Sequence, residues 1–237
     1  MQNFIKRWSG DSFGQMWPAA RAYRNEVFEK IMAEIFTAAP DVWPWIRDHH
    51  SLKWMRCAFN PDIKCNHITN NLAEVFNNWA KDIKDLPVVD LVDKLREMIM
   101  VLWRKRRRIG ERLHGKILPA IMVQLKARTR RLGYLRVVSS ANWSAEVHDN
   151  GIRHIVKLRI KECTCLAWQH TGKLCEHALA FLTTQKNVQL EEFVHEFYSV
   201  DKFRAAYERV IEPMIDKTQW PKVDKWSEVQ LLVQGVA

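Results

Sequence analysis

Apolar positions recur at helical spacing through the first half of the chain. Trp17, Ala20, the stem of Arg24, Val27, Ile31 and Ile35 lie on one helical face and predict an amphipathic helix over 18–37, opened by Pro18 in its first turn. The tract 38–57 is rich in tryptophan and interrupted by Pro40 and Pro44, which predicts a second, shorter helical piece. Trp43, Trp45 and Trp54, set beside prolines, read as core anchors rather than base-stacking platforms. The stripe Leu72, Val75, Phe76, Trp79, Ile83 predicts a helix over 71–84 that Pro87 ends. A longer helix is expected from about Val88, with Val92, Leu95, Ile99 and Leu102 on one face and Arg104 to Arg108 near its far end. Gly110, Gly115 and Pro119 are expected to segment the chain beyond that run.

The pattern changes at Leu132-Gly133. Residues 142–148 and 152–160 flank Asp149-Asn150-Gly151, and an Asn-Gly pair between alternating runs signals a hairpin because both central residues take positive φ. With Asn150 and Gly151 in the turn, Val147 faces His154, Ala145 faces Val156 and Trp143 faces Leu158, so mostly apolar side chains share one face. The other face pairs Ser144 with Lys157, Glu146 with Ile155 and His148 with Arg153. After a cysteine-bearing loop, 178–184 is apolar and of helical type, 190–210 reads as further helix, and 213 onward reads as an irregular tail. The expected fold is α+β and mostly α: a helical region over 1–132 ending in a basic segment, a small hairpin-plus-helix unit over 133–186, and a helical extension with an irregular tail over 187–237.

Chemistry concentrates in the middle unit. Cys163-Thr-Cys165 is followed after nine residues by Cys175-Glu-His177, which puts three thiols and an imidazole within fifteen residues. That is a donor set for one closed, structural zinc ion. Residues i and i+2 share a face on a strand but lie about 200° apart on a helix, so Cys163 and Cys165 suit a strand end. Cys175 should precede the following helix, with His177 in its first turn, and Gly172 supplies flexible backbone that brings the halves together. Four ligands leave no open position for water, so the site holds a fold together rather than performing a reaction. Cys57 and Cys65 read as packing residues; Cys65-Asn66-His67 resembles a metal half-site, but no complementary pair lies nearby in the sequence.

Composition narrows the class. With 237 residues, 47% of them hydrophobic and 11 tryptophans, the chain can bury a real core. Five cysteines, an odd number with three clustered as metal ligands, and no charged-then-apolar leader at the start argue against a secreted disulfide framework and for a reducing compartment. No apolar run approaches the roughly 18 residues of a membrane span. Net charge is +10, and its placement carries more than its size: 104–131 holds eleven Lys or Arg against one acid, Glu111, and the rest of the chain balances. Such a field suits a polyanionic partner, with Arg104, Lys105, Arg106, Arg107 and Arg108 as nucleic-acid contacts; it equally suits a solvated helix face or a nuclear import signal.

Residues 162–182, ECTCLAWQHTGKLCEHALAFL, resemble the SWIM-type zinc finger, Cys-x-Cys, a variable loop, then Cys-x-His. Trp168 and Thr171-Gly172 resemble the version found in plant Mutator-like element transposases, also called the PMZ type. CNHITNNLAEVFNNW over 65–79 is similar to the block that ends that family's catalytic domain, and VHEFYSVDKFRAAYERVIEPM over 194–214, with Trp220-Pro221 beyond, to the segment that follows its finger. WPAARAYRNEVFEKIM over 17–32 is similar to the helical region before the block.

The resemblance implies a C-terminal portion of such a transposase. The family cuts and joins DNA with an RNase H-like domain in which two aspartates and a glutamate hold divalent metal. Matched to the NNxxExFN block, Glu74 is the third acid, while the strands bearing the two aspartates lie upstream of where this chain enters the pattern. The helical 1–132 region is then the remnant of that core. A lone carboxylate cannot fix two ions across a phosphodiester, so no catalytic centre is expected. Asn71-x-x-Glu74 also matches a capping box, and Asn70 and Asn77 read as helix-end polar residues. The expected protein is therefore a non-enzymatic, nuclear, zinc-binding relic that binds DNA, or a protein partner through the finger, and no membrane. The alternatives are part of an active transposase whose two aspartates lie outside this gene model or are supplied by another subunit, and a transcription regulator resembling the FAR-RED IMPAIRED RESPONSE family.

Overall fold

A computed structural model describes residues 11–49, 54–64 and 71–220. Its fold is α+β and mostly helical, with one four-stranded antiparallel sheet. The helix expected over 18–37 is two: α1, Asp11–Arg21, with Pro18 inside it, and α2, Asn25–Ala38. Arg24 takes extended dihedrals at the break, φ −102° and ψ 135°. A straight helix would set Ala19 and Ile35 about 24 Å apart. The break instead lets Met16 and Ala19 join Met32 and Ile35 in one cluster. Helix α3, Val42–His49, adds Val42 and Ile46 to that cluster.

Of the three tryptophans expected as core anchors, Trp45 and Trp54 pack against this cluster. Trp43 does not: it is exposed and meets Phe36 edge to face. With Val42 and Ile46 turned inward on α3, Trp43 follows Val42 by about 100° around the helix and is carried off the buried face.

Helix α4, Asn71–Trp79, is shorter than expected; turns come after it, and Ile83 is buried within them while Val75 and Phe76 stand exposed. Helix α5, Val88–Arg112, runs through Gly110 instead of stopping there. Gly110 is buried because the chain crosses it: a Cβ there would lie 3.4 Å from Arg204 Cγ and 3.6 Å from Phe203 Cδ1. Gly115, at φ +89°, and Pro119 do separate α5 from α6, Pro119–Thr129.

The larger core runs from Ile117 through Met122 and Leu125 of α6 to Phe193 and Val194, with Tyr198 packed on it. Its sheet is a meander of β1 (Arg136–Ala141), β2 (Ser144–Asp149), β3 (Ile152–Lys157) and β4 (Glu162–Cys163). The β2–β3 hairpin has the expected register, with Val147 opposite His154 and Ala145 opposite Val156, and Ala145, Val147, Val156 and Leu158 are all buried. Strand β1 adds a third strand that the alternation does not mark. Most of its residues are exposed, and pairing with β2, irregular between Ser139 and Ala141, is what makes it a strand. The second hairpin strand also stops early: the chain turns at 158–161 and β4 pairs back, with Cys163 opposite Val156.

Helices α7, Ala167–Thr171, and α8, Glu176–Thr183, complete the unit. Beyond them 190–210 is not one helix. It forms two single 3₁₀ turns, Leu190–Phe193 and Glu196–Tyr198, and then α9, Val200–Ala206. The cause lies in pairing with 116–118: Leu118 N donates to Tyr198 O at 2.9 Å and Val200 N to Lys116 O at 3.1 Å, around a bridge between Ile117 and Ser199. Extended backbone at Ser199 makes those bonds and a helix cannot. No helix among the described residues is long and apolar enough to cross a membrane.

Candidate metal centre

The donors come from two walls. Cys163 ends β4 and Cys165 lies just beyond it; Cys175 caps α8 and His177 sits in that helix's first turn. Each wall is held by its own local bonds. Gln169 of α7 treats Cys163 as a strand neighbour would, donating Nε2 to Cys163 O at 2.9 Å and accepting from Cys163 N at 3.3 Å. Leu166, at φ 62°, turns the chain out of the first pair into α7. Cys175 Sγ accepts the Ala178 amide at 3.4 Å, so a helix N-terminus that favours negative charge faces this sulfur.

Gly172 closes the loop between the walls in a more demanding way than flexibility alone. Its φ is +68°, and a Cβ would lie 2.7 Å from His195 Cβ, whose residue donates its backbone N to Gly172 O at 2.8 Å. Trp168, wholly buried, donates Nε1 to Phe193 O at 3.1 Å and plugs the loop into the larger core.

The four ligand atoms, Sγ of Cys163, Cys165 and Cys175 and one imidazole nitrogen of His177, lie within 4.8 Å of one another. Cys163 Sγ and His177 Nδ1 are 3.7 Å apart. Zn–S bonds of about 2.3 Å and Zn–N bonds of about 2.0 Å give tetrahedron edges of roughly 3.5–3.8 Å, so the cluster is close to zinc geometry. Its electrostatics ask for a cation. Hydrogen bonds from Cys163 and Cys175 push the Cys165 thiol well down, and contacts with Cys163 and Cys165 push Cys175 up. Burial works to lower the imidazole of His177, but the Cys163 and Cys165 sulfurs overcome it and raise the group to about 10. Three thiols so close cannot all ionise beside one another; a divalent ion among them removes the conflict and takes them as thiolates. Cys163, Cys165, Cys175 and His177 are thus positioned to bind one zinc ion, and they form the single group of three or more such donors among the described residues.

Two residues at the site carry roles that their sequence pattern does not signal. Asp149 reads in the sequence as a turn residue only, yet its Oδ2 lies 3.2 Å from His177 Nε2. His154 reads as a hairpin face residue, and its ring stacks on His177 with centroids 4.1 Å apart. Burial, then the neighbouring His177, hold His154 below the usual histidine range. An acid directly before Asn-Gly, one hairpin away from the ligands, is the only local hint of a metal neighbour; nothing local marks Gln169.

The other expected residues lie elsewhere. Glu74 is exposed in the first turn of α4. Asn70, Cys65 and His67 fall outside the described residues, as does the side chain of Asn71 on which a capping box would depend. Cys57 is half-buried, near Asn25. The run Arg104 to Arg108 lies in α5, where successive residues turn by about 100° and so ring the helix. Arg104, Lys105, Arg106 and Arg108 are exposed. Arg107 is half-buried and donates to Tyr207 O at 3.1 Å and Arg209 O at 2.7 Å, which ties the later chain to the helix.

A family model for the SWIM zinc finger matches residues 149–186. No curated protein and no solved structure matches the chain. The matched span begins at Asp149 and includes all four ligands, so the chain carries a SWIM zinc finger and is a zinc-binding protein.

Proposed function

We propose that the chain is a non-enzymatic, zinc-stapled module that binds DNA in the nucleus through the exposed cations of α5 and its surroundings, and that it descends from a Mutator-like transposase. The observation that carries the DNA reading is the placement of charge. The whole excess of positive charge lies within 104–131, and four of the five residues of its densest run are exposed on α5. A helix ringed with cations suits a phosphate backbone, since it spreads exposed positive charge over the surface that a polyanion would contact. The closed ligand set supports a structural role for zinc, and no catalytic step is assigned to Glu74. The transposase origin rests on the resemblance of 17–32, 65–79 and 194–214 to blocks of that family, on either side of a finger of the matching type.

The test is binding of a labelled DNA duplex by anisotropy across a salt series. About five phosphate contacts give a slope of log K against log salt near −4 to −5. Replacing Arg104, Lys105, Arg106 and Arg108 together by Gln should flatten that slope and weaken binding at least about tenfold, with zinc content unchanged. Binding that is absent, or that does not respond to salt, would remove DNA from the proposal.

A further inference from the structure

We propose that Asp149 is a positioning residue of the zinc site, whose carboxylate accepts the Nε2 proton of His177 and thereby fixes Nδ1 as the atom offered to the metal. The inference rests on the zinc site described above. A neutral imidazole has one nitrogen free to ligate and one that carries hydrogen, and the partner of the second decides which is which. In His177 the two nitrogens face different neighbours. Nδ1 points to Cys163 Sγ at 3.7 Å, inside the ligand cluster, and Nε2 points to Asp149 Oδ2 at 3.2 Å, outside it.

The carboxylate is itself held. Asp149 is the last residue of β2, paired with Ile152 across a turn whose two central residues, Asn150 and Gly151, have φ of 47° and 83°. The Asn150 side-chain amide donates to Asp149 Oδ1 at 2.9 Å, leaving Oδ2 for the imidazole. His154, presented by β3, stacks on the ring of His177 with 28° between the planes and opposes its rotation. One hairpin therefore supplies both the acceptor for Nε2–H and a wall against the ring, although it contributes no ligand atom. A carboxylate bonded to a ligating histidine orients the ring and makes it a stronger donor to the metal, and its loss commonly weakens metal binding about 10–100-fold. The Asp-Asn-Gly turn thus serves the metal as well as the chain reversal.

The experiment compares the full chain with Asp149→Ala and with Gly151→Ala. The second change strains the same turn through its positive φ and meets no atom within 4 Å, so it disturbs the hairpin without touching the imidazole. Zinc affinity is measured by competition with a chromophoric chelator. The expected result is about 10–100-fold weaker binding for Asp149→Ala and less than about threefold for Gly151→Ala. Long-range ¹H–¹⁵N spectra of the zinc-loaded, unmutated chain provide a readout that needs no variant to fold: Nδ1 of His177 should carry the metal and Nε2 the proton. Metal on Nε2 overturns the proposal. So does an Asp149→Ala affinity within about threefold of the parent, or a Gly151→Ala loss as large as that of Asp149→Ala, since turn integrity would then account for the effect.

Discussion

Helices α8 and α5 are both rich in apolar residues, and they meet opposite fates. Eight-residue α8 buries six side chains in succession, from His177 to Leu182, whereas 25-residue α5 buries only Gly110. Val88, Val89, Val92 and Val101 all stand exposed on α5, and an open apolar groove of about 290 Å³ lies between Val92, Leu95, Ile99 and Ile211. The difference lies in what surrounds each helix. Helix α8 is enclosed by the sheet and α6, with residues of both in the same core. Helix α5 is met by α9 and by the irregular chain after it, through arginines that reach backbone carbonyls, as Arg204 reaches Gly110 O and Leu113 O, and through single apolar contacts such as Trp103 against Tyr207. A helical stripe shows which face can be buried; only opposing layers bury it.

The largest break in this comparison should come from removing zinc. Coupling of zinc binding to folding is on the order of 10–16 kcal/mol in finger peptides, so a strong chelator should abolish hydrogen-exchange protection at Val147, Val156 and Leu179 while α5 keeps its helical exchange pattern. Loss of protection in both regions together would mean that they form one cooperative unit. Next in size is a pair of truncations. Trp168→Ala removes a wholly buried ring and should cost about 3–5 kcal/mol in denaturant unfolding, whereas Val92→Ala on the exposed face of α5 should stay within about 0.5 kcal/mol. Equal costs would erase the contrast and place α5 in a buried layer.

The smallest effect sharpens the finger side alone. Tyr134 donates its hydroxyl to Glu176 Oε2 at 2.7 Å, which helps raise the phenol from 10.0 to about 12. The hydrogen bond to Glu176 is the main cause, followed by burial and the charge of that carboxylate. Because the folded chain holds the neutral phenol more tightly than the unfolded one, the contribution is complete below pH 10 and lost as pH rises from 10 towards 12. Absorbance titration near 295 nm should show this delayed ionisation, and Glu176→Gln should bring it earlier. An unaltered titration in that variant would mean Glu176 is not the partner that holds the proton.

The legible features are local ones. The hairpin register comes from the two-residue period and the Asn-Gly turn, and Cys175 at the helix cap with His177 in the first turn comes from ligand spacing. Composition places the positive charge correctly but cannot say that Arg107 is drawn out of the exposed set by two carbonyls a hundred residues later. The helix expected through 18–37 breaks because burying Ala19 beside Ile35 outweighs continuing a helix whose faces would stay apart.

Local sequence determines the ligand set, the hairpin and the helical character of the first half, since each depends on residues within about fifteen positions of one another. Tertiary structure alone decided that β1 is a strand, that Gly110 lies inside α5, that 190–210 divides around Ser199, and that Asp149 meets His177. Strand β1 needs β2 as its partner although its own residues carry no strand alternation, and the other three need partners distant along the chain; the free energy of a paired edge, a close crossing or a shared proton exists only once the two segments have met.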